Sequence, residues 1–217
     1  TEESFPGLLL NVTAGRIANR FDFGGTNCSV DAACASSLLA MKMAVDELES
    51  GRCNVAIAGG LDTTQSPFAY FCFSKTPAMS PTGASRPFDK NADGIVISEG
   101  AGIVVLKRLQ DAEADGDRIY AVIKSVGSSS DGKALGLTAP LSSGQRRALQ
   151  RAYQKADFSP GTIALYEAHG TGTPAGDKAE LETINNTLVS SGEASPKSCV
   201  IGSVKSLIGH TKGSAGV

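Results

Sequence analysis

Histidine is scarce in this sequence: 217 residues contain only His169 and His210. Cysteine is sparse and odd in number, at positions Cys28, Cys34, Cys53, Cys72 and Cys199, with no CxxC pair. That pattern argues against a disulfide framework or a zinc site, and it makes a reducing, cytoplasmic compartment the default expectation. Long charge runs are missing too, and the formal net charge is only -2. A nucleic-acid surface needs clustered Lys and Arg to neutralise phosphates, so that class of partner is not expected. No apolar run approaches the roughly 20 residues needed to cross a bilayer. The first residues are acidic and polar, unlike a secretory leader, although an internal fragment would lack a leader in any case.

Hydrophobic residues make up 41% and charged residues 19% of the chain, as expected of a globular protein with a real core. Glycine is abundant at 25 residues and punctuates short apolar segments. Segments 26–30, 54–58, 101–106, 119–126 and 163–168 read as buried strands. Several are continuously apolar, which favours a sheet covered on both faces. Segments 36–50, 142–156 and 177–190 read as helices. The first carries Leu38, Leu39, Met41, Ala44, Val45 and Leu48 at helical spacing and ends at Gly51. The third begins near Asp177, with acids in its first turns. Alternating strands and helices imply a layered α/β fold. The proline-rich stretch 68–93 shows little periodicity and reads as a long, functional loop.

Three motifs carry chemistry. In Val30-Asp-Ala-Ala-Cys-Ala-Ser-Ser-Leu38, a tight turn of small residues places Cys34 at the start of a helix. A helix N-terminus favours the thiolate, and the turn's N–H groups can face a developing oxyanion. A cysteine is more often a small buried hydrophobe, and the other four cysteines keep that reading. In Glu167-Ala-His-Gly-Thr-Gly-Thr-Pro-Ala-Gly-Asp177, a strand delivers His169 into a Gly/Thr loop that opens a helix. Thr171 and Thr173 offer hydroxyls to a polar ligand arm there. Alone, such a loop suits a structural histidine equally well. In Val204-Lys-Ser-Leu-Ile-Gly-His-Thr-Lys-Gly-Ser-Ala-Gly-Val217, Lys205 and His210 flank a turn, and a helix is expected near Gly213. Lysine is usually a solvated surface charge, but the apolar residues around Lys205 favour burial against an acid. Both histidines thus fall in glycine-rich loops at element ends, where functional residues gather. One thiol and two imidazoles suit a reaction that acylates the thiol and then stabilises an enolate and an oxyanion.

The motifs DAACASS around Cys34, EAHGTGTPAGD around His169 and VKSLIGHTKGSAG around His210 resemble the three signatures of β-ketoacyl synthases, in the family's order. The segment from Arg86 to Gly94, with Ser98-Glu-Gly100, resembles a further signature. The wording around Cys34 is most similar to ketosynthases of iterative polyketide and polyunsaturated fatty acid synthases. The resemblance implies a thiolase-like α/β fold, five-layer αβαβα in the complete domain, and a homodimer. It implies that Cys34 carries the growing acyl chain as a thioester. His169 and His210 would hold the extender's thioester carbonyl, promote malonyl decarboxylation and stabilise the enolate. Lys205 would orient the site, with Glu180 as the matching acid. Thr171 and Thr173 would meet the phosphopantetheine arm of an acyl carrier protein. No metal and no organic cofactor is implied.

Complete family members extend beyond this sequence at both ends, so the chain is expected to be the central part of a ketosynthase domain: the end of its N-terminal half and the beginning of its C-terminal half. The glycine-rich loop that supplies a second oxyanion donor is not in it, which puts the activity of the isolated chain in question. Thiolases and chalcone synthases share the fold but not the HGTGT and GHTKG wording. A decarboxylase-only relative, or a non-catalytic domain that docks carrier proteins, remains as the alternative. Relatives of those kinds tend to lose the cysteine or a histidine, and here all three are present.

Overall fold

The structure, a computed structural model, describes residues 4–133, 136 and 139–217. The chain divides into two compact units, each assembled from separated segments. The first comprises Thr1–Leu61, Ala101–Val122 and Gly213–Val217; the second comprises Asp62–Gly100 and Ile123–Lys212.

In the first unit, helix α1 (Asn11–Phe21) is followed by α2 (Ser36–Glu49), strand β1 (Val55–Asp62), strand β2 (Gly100–Lys107) and helix α4 (Leu109–Ala114), with β1 and β2 paired in one sheet. Helix α2 forms where the apolar spacing predicts. It stops because Gly51 adopts the left-handed conformation at φ 71°, which a residue without Cβ reaches at no steric cost. Arg108 then gathers the exit of α2, donating to the carbonyls of Leu48 (2.9 Å) and Cys53 (2.8 Å) and to Asn54 Oδ1 (2.6 Å). A cation at a helix C-terminus meets the negative end of the dipole and its unpaired carbonyls. Among the described residues of this unit, Ala44 and Leu48 of α2, Ala58 of β1 and Ala112 of α4 are the buried hydrophobic ones. Gly60 has no room for a side chain: a Cβ there would lie 2.7 Å from the Ser214 Cα and 2.9 Å from the Ser37 Cβ. The alternate apolar residues Val55 and Ile57 of β1 and Ile103 and Val105 of β2 are exposed, as one face of a pleated pair. The expectation of a sheet covered on both faces therefore does not hold for this pair.

The second unit contains α3 (Pro67–Lys75), α5 (Ser142–Ala156), β3 (Leu165–Glu167), α6 (Pro174–Ser191), β4 (Val200–Gly202) and the short α7 (Lys205–Ile208). Strands β3 and β4 run parallel, in the register Leu165↔Val200, Tyr166↔Ile201 and Glu167↔Gly202. Helices α5 and α6 pack together. Thr183 of α6 donates to Gln145 Oε1 of α5 (2.9 Å), and the Tyr153 and Tyr166 hydroxyls hydrogen-bond to each other.

Three expectations need correction. Segments 26–30 and 119–126 are not strands, because an apolar run becomes a strand only when a neighbour completes its ladder. Ser29 instead gives its N–H to Asn11 Oδ1 and its hydroxyl to the Leu10 carbonyl, at the start of α1. The stretch 68–93 is not all loop, since its first part is α3, capped by Ser66 with Pro67 at the first helical position. Near Gly213 there is only a single 3-10 turn, Lys212–Ser214.

Candidate active site

In the first unit, Cys34 lies in a 3-10 turn, Ala33–Ala35, that runs straight into α2. The residue before it, Ala33, is left-handed at φ 50°, a conformation that costs a non-glycine residue about 1–3 kcal/mol. Short-range bonds hold it there. Asp31 Oδ1 accepts the Ala33 N–H (2.9 Å), while Ser36 Oγ accepts the Ala32 N–H (2.9 Å) and donates to the Ala33 carbonyl (2.7 Å). The half-buried Cys34 thus stands on a strained corner at the entry to a helix, with no β-branched neighbour to crowd it. One turn on, Ser37 is fully buried at 0% exposure and accepts the Gly216 N–H (3.0 Å), which ties the end of the third motif to the start of α2.

In the second unit, β3 ends at Glu167 and the chain enters the loop that carries His169. Glu180, on the first turns of α6, turns its carboxylate back onto this loop. Its Oε1 accepts the His169 N–H (2.6 Å) and its Oε2 the Gly170 N–H (2.8 Å). Two amides of the histidine loop are thereby fixed by one side chain. Burial raises the Glu180 carboxyl above its ordinary value, opposed by those two N–H donors and by the Lys205 charge. Gly170 is left-handed at φ 41°, and a Cβ on it would sit 2.6 Å from the Ser203 Cβ, so only glycine fits between the two histidine loops. Asp177 is buried and serves the same loop. It accepts the Gly172 N–H (3.1 Å) and, from the Arg86–Gly94 segment, the Phe88 N–H (2.7 Å). The Thr171 and Thr173 hydroxyls lie together, 2.9 Å apart, with Thr171 buried.

The third motif meets this loop inside the same unit. Lys205 opens α7 and is 5% exposed, although its apolar neighbours Val204, Leu207 and Ile208 are exposed themselves. Glu167 Oε1 accepts the Val204 N–H at the start of that helix (2.8 Å). His210 is 3% exposed. It is clamped along its backbone in a parallel bridge with Ile97, donating its N–H to the Val96 carbonyl (2.7 Å) and accepting from the Ser98 N–H (2.9 Å). The two imidazoles face each other edge to plane, with ring centroids 5.3 Å apart at 86°. Burial of the imidazole, then the Lys205 charge, pushes His169 down to about 4, although the residue as a whole is exposed. For His210, burial acts first and the charges of His169, Lys205 and Lys212 add to it, lowering it to about 3. Both rings are therefore neutral at physiological pH. His210 Nδ1 accepts the Lys212 N–H (3.1 Å), so the proton of the neutral ring sits on Nε2. A neutral imidazole with a fixed Nε2–H is a hydrogen-bond donor suited to negative charge forming on an oxygen. The expected measurement is direct. At pH 5, where a free imidazole is mostly cationic, nitrogen NMR of the labelled chain finds both rings neutral; a cationic His210 at that pH would overturn the assignment.

The structure thus brings His169, His210, Lys205 and Glu180 into one unit, together with Thr171 and Thr173, and sets Cys34 on the helix-entry turn of the other. Two further acids hold these loops. Asp177 reads in the sequence as a mere helix start, and Glu167 there has no assigned role. The signal in both cases was an acid inside the motif.

The N-terminal-domain profile of β-ketoacyl synthases matches residues 2–112, and the C-terminal-domain profile matches residues 120–217. The chain belongs to the β-ketoacyl synthase family. It is 50% identical over 216 residues to a polyunsaturated fatty acid synthase polypeptide of Thraustochytrium sp., covering 99% of this chain and 8% of that protein. A phenolphthiocerol/phthiocerol polyketide synthase polypeptide of Mycobacterium tuberculosis is 44% identical over 203 residues, covering 94% of this chain and 11% of the relative. Among solved structures, the ketosynthase from module 6 of the bacillaene synthase of Bacillus subtilis 168 superposes with a TM-score of 0.92 at 39% identity, covering 98% of this chain and 38% of that one. The fold is accordingly the thiolase-like α/β fold of ketosynthase domains. No helix among the described residues is long and apolar enough to cross a membrane.

Proposed function

We propose that this chain carries the central residues of a ketosynthase that performs decarboxylative Claisen condensation in polyketide or fatty acid synthesis. The observation that carries this reading is the pair of neutral imidazoles, 5.3 Å apart and held by their own loops, one with its donor nitrogen fixed as Nε2. Such a pair holds an oxygen that gains negative charge without itself giving up a proton.

In the proposed sequence, the Cys34 thiolate attacks an acyl thioester on the phosphopantetheine of an acyl carrier protein. The new C–S bond forms as the carrier's thiolate leaves. A malonyl-type thioester then loses carbon dioxide, and the electrons of the broken C–C bond pass into an enolate whose oxygen accepts from His169 and His210. The enolate carbon attacks the Cys34 thioester, a C–C bond forms, and the Cys34 thiolate leaves. The product is a β-ketoacyl thioester on the carrier. Every bond made or broken lies in Cys34 or the two thioesters, so the reaction calls for no metal and no organic cofactor. Lys205 and Glu180 position the histidine loops, and the Thr171 and Thr173 hydroxyls, 2.9 Å apart, are assigned to the pantetheine arm. Carrier protein is the expected partner, a homodimer the expected assembly and the cytoplasm the expected compartment.

The test gives the complete synthase an acyl thioester and a malonyl carrier, and follows products by mass spectrometry. A β-ketoacyl carrier is expected. Carbon dioxide release without a new C–C bond would identify a decarboxylase, and no turnover would favour a docking domain.

A further inference from the structure

The third motif contains a second lysine, Lys212, that the proposed reaction does not use. Its position is unusual on three counts. Its backbone is left-handed, at φ 53°, a region that a side-chain-bearing residue rarely adopts. Its own N–H is the group that His210 Nδ1 accepts, at 3.1 Å. Its ammonium is drawn inward rather than into solvent. It donates to the Ser98 carbonyl (2.7 Å) and pairs with Asp62 Oδ1 (3.2 Å), with side-chain exposures of 12% for Lys212 and 22% for Asp62. Asp62 in turn accepts the Thr64 N–H (3.1 Å), so the carboxylate is itself anchored at the end of β1. Ser98, which receives the ammonium through its carbonyl, gives its N–H to the His210 carbonyl. A closed ring of bonds results, from the His210 ring to the Lys212 backbone, along the Lys212 side chain to Ser98, and back to the His210 backbone.

We propose that the Lys212–Asp62 ion pair is a positioning device for His210, holding the Lys212 backbone in the strained conformation that keeps its N–H on Nδ1 and so keeps the donor proton on Nε2. The inference rests on the proposed role of His210 and concerns how that role is maintained. A side chain tethered at its far end to two fixed oxygens resists the relaxation of its own φ to the ordinary negative range. Without the tether, the residue relaxes and the N–H swings off the ring. The bond that selects the Nε2–H tautomer is then lost. The charges also suit this task. The ammonium lowers the His210 basicity and the carboxylate raises it, so the pair anchors the loop while its two charges act on the ring in opposite senses. A lone cation in that place would do otherwise.

The test uses nitrogen-labelled histidine in the full chain, where only two imidazoles give signals. Long-range proton–nitrogen correlation reports which ring nitrogen carries the proton. In the unsubstituted chain His210 is a single Nε2–H tautomer. Lys212→Met keeps the length of the side chain and removes the charge; His210 is expected to become a mixture, with at least about a tenth of the other tautomer. Asp62→Asn, which keeps size and the cap on Thr64, is expected to do the same to a smaller extent. Lys212→Arg retains donors for both oxygens and is expected to restore the single tautomer. His169 serves as the internal reference for folding, because its N–H is held by Glu180 and not by this pair. A single, unshifted Nε2–H tautomer in both Lys212→Met and Asp62→Asn, with His169 unchanged, overturns the proposal. So does a mixture in Lys212→Arg equal to that in Lys212→Met. The readout is the imidazole itself, so these outcomes are separate from failure of the condensation assay, which judges the reaction.

Discussion

Cys34→Ala in the complete synthase is expected to abolish acyl loading, lowering condensation by about 10³-fold or more, the scale on which loss of an enzyme nucleophile is felt. The reason lies at the corner. Ala33 is held left-handed so that the next residue leaves the turn at the head of α2, where the positive end of the helix dipole favours a thiolate. Alanine fits the same turn without strain of its own, so the loss is chemical and not a loss of fold. Intact-mass measurement after incubation with an acyl thioester reads the adduct directly. Acylation that persists in Cys34→Ala would move the nucleophile to another residue. The second half-reaction makes no use of the thiol, so decarboxylation of the malonyl carrier is expected to survive the substitution.

The histidine variants are expected to behave in the opposite way. His169→Ala and His210→Ala each remove one donor to developing negative charge, and losing one such donor typically costs about 10²–10³ in rate. Carbon dioxide release from the malonyl carrier should fall by that factor, while loading of Cys34 from an acyl thioester falls much less. The two losses should not multiply in the double variant, because the rings face each other at 5.3 Å and act on one oxygen. Unchanged carbon dioxide release in both single variants would sink the two-imidazole reading. His210→Ala also removes the acceptor of the Lys212 N–H, and His169→Ala leaves both Glu180 bonds in place because these go to backbone amides. A larger structural cost is therefore expected at His210 than at His169.

Much of this was legible in the chain before any fold was known. Helix α5 was readable to the residue and α2 to within one at its end, because amphipathic spacing, and for α2 the glycine that follows, are local signals. The start of α6 was placed three residues late, at Asp177 instead of Pro174. Proline at the first helical position with Thr173 before it was the better signal. Helix α3 was missed although Ser66-Pro67 announced it, since the prolines further along suggested a loop throughout. Segments 26–30 and 119–126 have the composition of strands and none of the pairing. Strand formation depends on a neighbour that local composition does not reveal.

The sequence by itself determined which groups are the candidates for chemistry and in what order they occur: one cysteine before a helix, and two histidines in glycine-rich loops, the second with a lysine ahead of it. These are properties of residue type and spacing, and motif wording records them. Only the tertiary structure decided how each group is held. The Glu180 carboxylate takes two amides of the His169 loop, Asp177 joins that loop to Phe88, and Lys212 reaches back to Asp62 at the end of β1 while its N–H chooses the tautomer of His210. The bonds of Asp177 with Phe88 and of Lys212 with Asp62 close only when the chain returns on itself. A hydrogen bond needs its two atoms within about 3 Å and well aligned, and no local pattern of residues encodes that distance across such separations.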